Sequence, residues 1–84
     1  MADGISARRY PDMTLCESKV VHSYGYDTET AALFVRFVHG RKLYRYDNYP
    51  PDMYQALREA VSVGKFVSGR VVHNYPGEFI REQD

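Results

Sequence analysis

The chain has no tryptophan, a single cysteine, no excess of either charge and no long apolar run, and each shortage closes off a class of protein. Cys16 stands beside Glu17 with no second thiol to pair with, so no internal disulfide is available and a reducing compartment fits best. No stretch approaches the ~20 apolar residues that span a bilayer, and the opening MADGISARRYPD lacks the apolar segment of a secretory signal. The expectation is a cytoplasmic protein with no membrane partner. Eleven basic and eleven acidic residues cancel, which argues against attachment to nucleic acid by bulk charge alone.

Motifs for chemistry are also scarce. His22, His39 and His73 are far apart and none has the short spacing to Cys, His or a carboxylate that a zinc site uses, so no metal is expected. Glycines occur singly, in YGYD, HGRK, VGKF and SGRV, which leaves no phosphate-cradling loop and no cofactor to assign. A nucleophile would need a serine or cysteine held beside a histidine. The nearest pair, His22 and Ser23, should point to opposite faces of a strand. The expectation is a protein that is not an enzyme.

What the sequence does hold is 84 residues with eight tyrosines and four phenylalanines. That is enough for one small domain burying about 60% of its unfolded surface, without metal or disulfides. From Ser18 to Tyr75, eight basic residues (Lys19, Arg36, Arg41, Lys42, Arg45, Arg58, Lys65, Arg70) face five acidic ones (Asp27, Glu29, Asp47, Asp52, Glu59). The body is modestly cationic and the ends compensate.

Residues 1–17 show no periodicity and read as a flexible arm that docks through Tyr10, Met13 or Leu15. SKVVHSYGYD is β-branched and aromatic and stops at DTET, where the Asp27 carboxylate can bond backbone two residues on. AALFVRFV alternates, His39-Gly40 marks a turn, and KLYRY returns. With an even loop, Leu33, Val35 and Phe37 share a face with Lys42, Tyr44 and Tyr46, which puts both tyrosines in the core. The other face then collects Arg36, Arg41 and Arg45 around Phe34 and Leu43. An odd, bulged loop would reverse the assignment.

In NYPPDMYQALREAV each proline pushes its predecessor out of the helical region, so a helix begins no earlier than Pro51, with Asp52 in its first turn. Met53, Tyr54, Leu57, Ala60 and Val61 form its apolar stripe, while Gln55, Arg58 and Glu59 face water. Ser62 can cap a second, shorter helix with Phe66, Val67, Arg70 and Val71 on one side, weakened by Gly64 and Gly69. NYPGEFIREQD reads as a turn and a tail. The expected fold is α+β: a three-stranded antiparallel β-meander, then one or two short helices packed on one sheet face, with the domain at 18–76 and a C-terminal tail at 77–84.

Several landmarks recur at set intervals: Ser18, YGYD at 24–27, LFVRF, Gly40, the pair Tyr44 and Tyr46, PPDMYQAL, and SVGKFVSGRVVHNY with Ser62, Gly64, Phe66 and Tyr75. In these the chain resembles the KTSC domain, a module named for the C-terminus of some lysyl-tRNA synthetases and also found alone in small bacterial and phage proteins. It departs from the pattern at Lys19, where a second serine is common, and at Ser68, where asparagine is frequent. The resemblance implies no catalytic residue and suggests RNA contact. Two kinds of partner are therefore expected. RNA, single-stranded or tRNA-like, would meet Arg36, Arg41 and Arg45 as backbone contacts, Phe34 as the stacking ring, and Lys65 and Arg70 as supports. A protein partner would instead use the edges of the first strand and the helix, as the chain's net neutrality allows.

Overall fold

The computed structural model describes residues 11–81. Among them, five strands form one antiparallel sheet in chain order: β1 Thr14–Leu15, β2 Val21–Asp27, β3 Ala32–Phe37, β4 Leu43–Tyr46 and β5 Gly77–Ile80. Between β4 and β5 the chain forms α1, Pro51–Arg58, and α2, Val63–Phe66, which runs into a π-helical turn at Val67–Val71. The α+β class stands, but the meander has five strands where three were expected. β1 has only two residues, and β5 follows Pro76-Gly77 in the segment read as a tail. Strands this short take their conformation from a pairing partner rather than from their own pattern. β5 pairs along its whole length with β4, from Leu43 opposite Ile80 to Tyr46 opposite Gly77.

The turn after β2 forms as its acidic residue requires: Asp27 Oδ1 accepts the N–H groups of Glu29 at 2.9 Å and Thr30 at 3.3 Å. Between β3 and β4 the loop turns at Gly40, with φ of 72°, and at Arg41, with φ of 52°. Its even parity sets Val35 opposite Tyr44 and Leu33 opposite Tyr46. Paired side chains point the same way, so the two tyrosines and the odd-numbered residues of β3 share one face.

Pro50 in the extended region and Pro51 at the first helical position start α1. The helix ends at Arg58, four residues short of Ser62, so Val61 falls off the expected apolar stripe and is fully exposed. Ser62 caps α2 by accepting the Lys65 N–H at 3.3 Å. Beyond α2 the Val72 N–H reaches back to the Val67 carbonyl at 3.0 Å, which widens the last turn.

The main core lies between the sheet and the helical layer. Val21, Tyr24, Leu33, Val35 and Tyr46 of the sheet meet Tyr49, Leu57, Val67 and Val71 there. Tyr49 is wholly buried, and its carbonyl accepts the Tyr26 hydroxyl at 2.5 Å, tying the end of β2 to the start of the helical layer. A smaller cluster, Ala32, Phe34 and Leu43, sits on the reverse face beneath Met13 and Ile80. Residues 11–13 lie directly on that face, close enough that a Cβ on Gly25 would stand 2.7 Å from the Asp12 carbonyl oxygen. Met13 docks as expected, Leu15 is exposed, and Tyr10 lies outside the described residues.

Candidate functional site

The reverse face does not present the expected cationic strip with an open ring. Phe34 is 4% exposed under Met13, so its face is unavailable for stacking. Arg45 is engaged by two carboxylates, Asp47 Oδ1 at 3.0 Å from Nε and Glu78 from the neighbouring β5. Arg36 donates to the Arg41 carbonyl at 3.1 Å, and Arg41 donates to His22 Nε2 at 3.3 Å. Lys65 and Arg70 belong to the helical layer, on the far side of the sheet from Phe34, and Arg70 stands over the Phe66 ring at 5.6 Å. The six residues expected to act together are therefore split between two faces.

An aromatic surface does exist, on the helix side of the sheet, at positions of β3, β4 and β5 that the helices cover only in part. Phe37, Tyr44 and Phe79 lie on these three neighbouring strands. The Tyr44 ring centre is 5.8 Å from Phe37, near edge-on, and 5.6 Å from Phe79 at a tilt of 51°. Phe79 is 47% exposed and Tyr44 half-buried. Beside this row runs a groove of about 550 Å³. Phe37 and Tyr44 line it with Val20 and Val72, and the polar groups on its rim are Lys19, His39 and Lys42, with no carboxylate. A second, more polar groove adjoins it and shares Lys19 and Val20. Ser62, Ser68, Lys65 and one carboxylate, Glu17, line that one.

Strand alternation had already placed Phe37, Lys42 and Tyr44 on one face. What it could not supply was how far the helices cover that face, or that Phe79 completes the row. Tyr46 is the inner member of the tyrosine pair. Burial, reinforced by neighbouring Tyr44, pushes its pKa up to about 12. Tyr49 is likewise pushed up to about 12, mainly by burial and then by Tyr75, with Arg70 pulling the other way. These phenols are structural acids held neutral.

His22 and Ser23 do not point apart. The register shifts between Val21 and Ser23, and this irregularity brings His22 Nδ1 to 3.1 Å from Ser23 Oγ. Arginine can only donate, so His22 Nε2 accepts from Arg41 and Nδ1 carries the proton. The ring therefore donates to the hydroxyl instead of drawing a proton from it, and Ser23 is 2% exposed. Cys16 is similarly occupied, its thiol donating to the Val21 carbonyl at 3.2 Å with its pKa raised by burial. Among the described residues no three His, Cys, Asp or Glu side chains come together as metal ligands.

The motif residues have definite work in the fold. Ser18 Oγ accepts the N–H groups of Val20 at 3.0 Å and Val21 at 3.1 Å, and Gly64 packs against that oxygen. Ser62 caps the helix that carries Gly64, while Tyr46 fills the core and Tyr44 forms the centre of the ring row.

Comparison with known proteins follows the same outline. A 49-residue stretch is 47% identical to an uncharacterised protein of Stutzerimonas stutzeri, covering 58% of this chain and 68% of that one. A protein of Tsukamurella paurometabola is 38% identical over 55 residues, 66% of this chain and 81% of its own. The crystal structure of a KTSC domain protein from Yersinia pestis matches with a TM-score of 0.78 at 26% identity, over 83% of this chain and 97% of that one. The family model of the KTSC domain matches residues 17–75, most of the described sheet and both helices, and the chain belongs to the KTSC domain family.

Proposed function

We propose that this is a non-catalytic binding module that takes single-stranded nucleic acid, RNA in the first instance, on the Phe37, Tyr44 and Phe79 face. The observation that carries the reading is the row of three rings on adjacent strands beside a groove that two lysines line and no carboxylate does. Bases stack on aromatic side chains without regard to sequence, each worth ~1–3 kcal/mol, while lysines follow the phosphates. Lys42 and Lys19 stand at this groove, and Lys19 leads into the adjoining one at Lys65. These three lysines replace the three arginines of the reverse face as the expected backbone contacts.

Fluorescence anisotropy with a labelled single-stranded RNA tests this. Binding should weaken with salt at a log–log slope near −2, from about −0.7 per phosphate neutralised on a single strand. Phe79→Ala and Lys42→Ala should each weaken it, whereas Arg45→Ala should not. No binding at low salt, or equal affinity after Phe79→Ala, rejects the reading.

A protein partner is the second reading, favoured by the groove's apolar floor of Phe37, Tyr44, Val20 and Val72. It predicts capture of a partner that survives nuclease treatment and is lost with Phe79→Ala.

A further inference from the structure

β5 is an edge with its backbone groups turned outward, and the direction of those groups follows from the ladder. The Phe37 N–H donates to the Lys42 carbonyl at 2.9 Å, which makes these two a hydrogen-bonded pair. Backbone groups alternate along an antiparallel strand, so Tyr44 and Tyr46 also bond toward β3. Leu43 and Arg45 must then bond toward β5, to Ile80 and Glu78. The N–H and C=O of Gly77, Phe79 and Arg81 are left pointing away from the sheet. Among the described residues no strand lies on that side. The edge is short and carries one charge, Glu78, which Arg45 of the neighbouring strand already engages; within it there is no proline, lysine or bulge, and Phe79 is half exposed.

We propose that two copies of this chain pair edge to edge through β5, antiparallel about a two-fold axis at Phe79. A two-fold axis perpendicular to the sheet keeps side chains on their own faces, so paired residue numbers must sum to an even number. With Phe79 opposite the second copy's Phe79, both outward groups of each are satisfied, Glu78 lies opposite Ile80, and Gly77 lies opposite Arg81. No like charges meet. Shifting the centre to Glu78 sets two carboxylates against each other, which is disfavoured, and shifting it to Ile80 leaves Gly77 unpaired and carries the ladder two residues past the end of β5 rather than one. Each chain is neutral overall, so no net repulsion opposes the approach. β1, with two residues, is too short to accept β5 in an open-ended chain, and the two-fold arrangement closes on itself. Pairing sets the two ring rows end to end, but it rests on the edge geometry and not on what those rows bind.

Phe79→Cys in a Cys16→Ser background tests the register. Directly opposed residues in a hydrogen-bonded pair have Cα atoms about 5.5 Å apart, within the range a disulfide bridges. Mild oxidation should therefore join the two introduced thiols, one from each copy, in a covalent dimer. Glu78→Cys in the same background, two residues out of step with its symmetry mate and on the other face, should crosslink at least tenfold more slowly. Sedimentation equilibrium of the unaltered chain should show a monomer–dimer equilibrium, loosened at least tenfold by Phe79→Lys, with circular dichroism confirming that the variant stays folded. A monomer up to millimolar concentration, species larger than a dimer, or faster crosslinking at position 78 than at position 79 overturns the proposal.

Discussion

Ser18 Oγ lies 2.7 Å from the point where Gly64 would carry a Cβ, closer than side-chain carbons approach oxygen in folded proteins. The same oxygen already accepts two backbone N–H groups, so it cannot retreat without losing them. Gly64→Ala should therefore destabilise the fold by about 1–3 kcal/mol despite its better helix propensity. Gly69, in the following π-helical turn, has nothing within 4 Å of such a carbon. Gly69→Ala should stabilise by up to ~1 kcal/mol. Urea titration of both variants checks the pair, and shifts of the same sign would contradict this account of α2.

Gly25 makes the corresponding approach on the reverse face, where the obstacle is the Asp12 main-chain carbonyl rather than a side chain. Gly25→Ala should lift residues 11–13 off Phe34 and Leu43. Hydrogen exchange would report it as faster exchange of the Cys16 amide, which donates to the His22 carbonyl at 3.2 Å beside β1, while the α1 amides keep their protection.

Alkaline pH should unfold the protein through its buried phenols. Tyr46 and Tyr49 are raised from an ordinary 10.0 to about 12, so the folded state favours their neutral forms. That contribution is full below about pH 10 and is lost as pH rises toward 12, with each ring worth on the order of 2 kcal/mol. Denaturant midpoints should be level from pH 8 to 9.5 and fall steeply above 10. Tyr46→Phe should flatten the fall, and absorbance near 295 nm should show phenolate appearing with unfolding.

Arg45 links β4 to Glu78 of β5 and to Asp47, but all three side chains are substantially solvated. Arg45→Ala should cost no more than about 1 kcal/mol, an effect that shrinks in high salt. A loss of several kcal/mol, unchanged in 1 M salt, would show this network to be part of the core.

The centre of the fold was legible because its cues are local and redundant. Alternation in ALFVRF and the glycine turn give the hairpin, the even loop seen in the structure decides between the two facings left open for Tyr44 and Arg45, and PPDM starts α1 where proline permits. The edges were not legible, since β1 and β5 owe their conformation to neighbours distant in sequence. This affected the site directly. Without β5 there is no Glu78 to engage Arg45, no Ile80 over Leu43 and no Phe79 beside Tyr44. The reverse face therefore looked open and charged, and the ring row looked incomplete. Similarly, His22 and Ser23 meet through a register shift that strict alternation cannot foresee.

The match to the family spans residues 17–75, yet Met13 and Ile80, which roof Phe34 and Leu43, both lie beyond it. A fragment trimmed to that outline would keep its tyrosine-rich interior while baring a greasy patch on its back, and would tend to clump. Relatives with unlike flanking segments can thus present different outer skins over the same central hairpin.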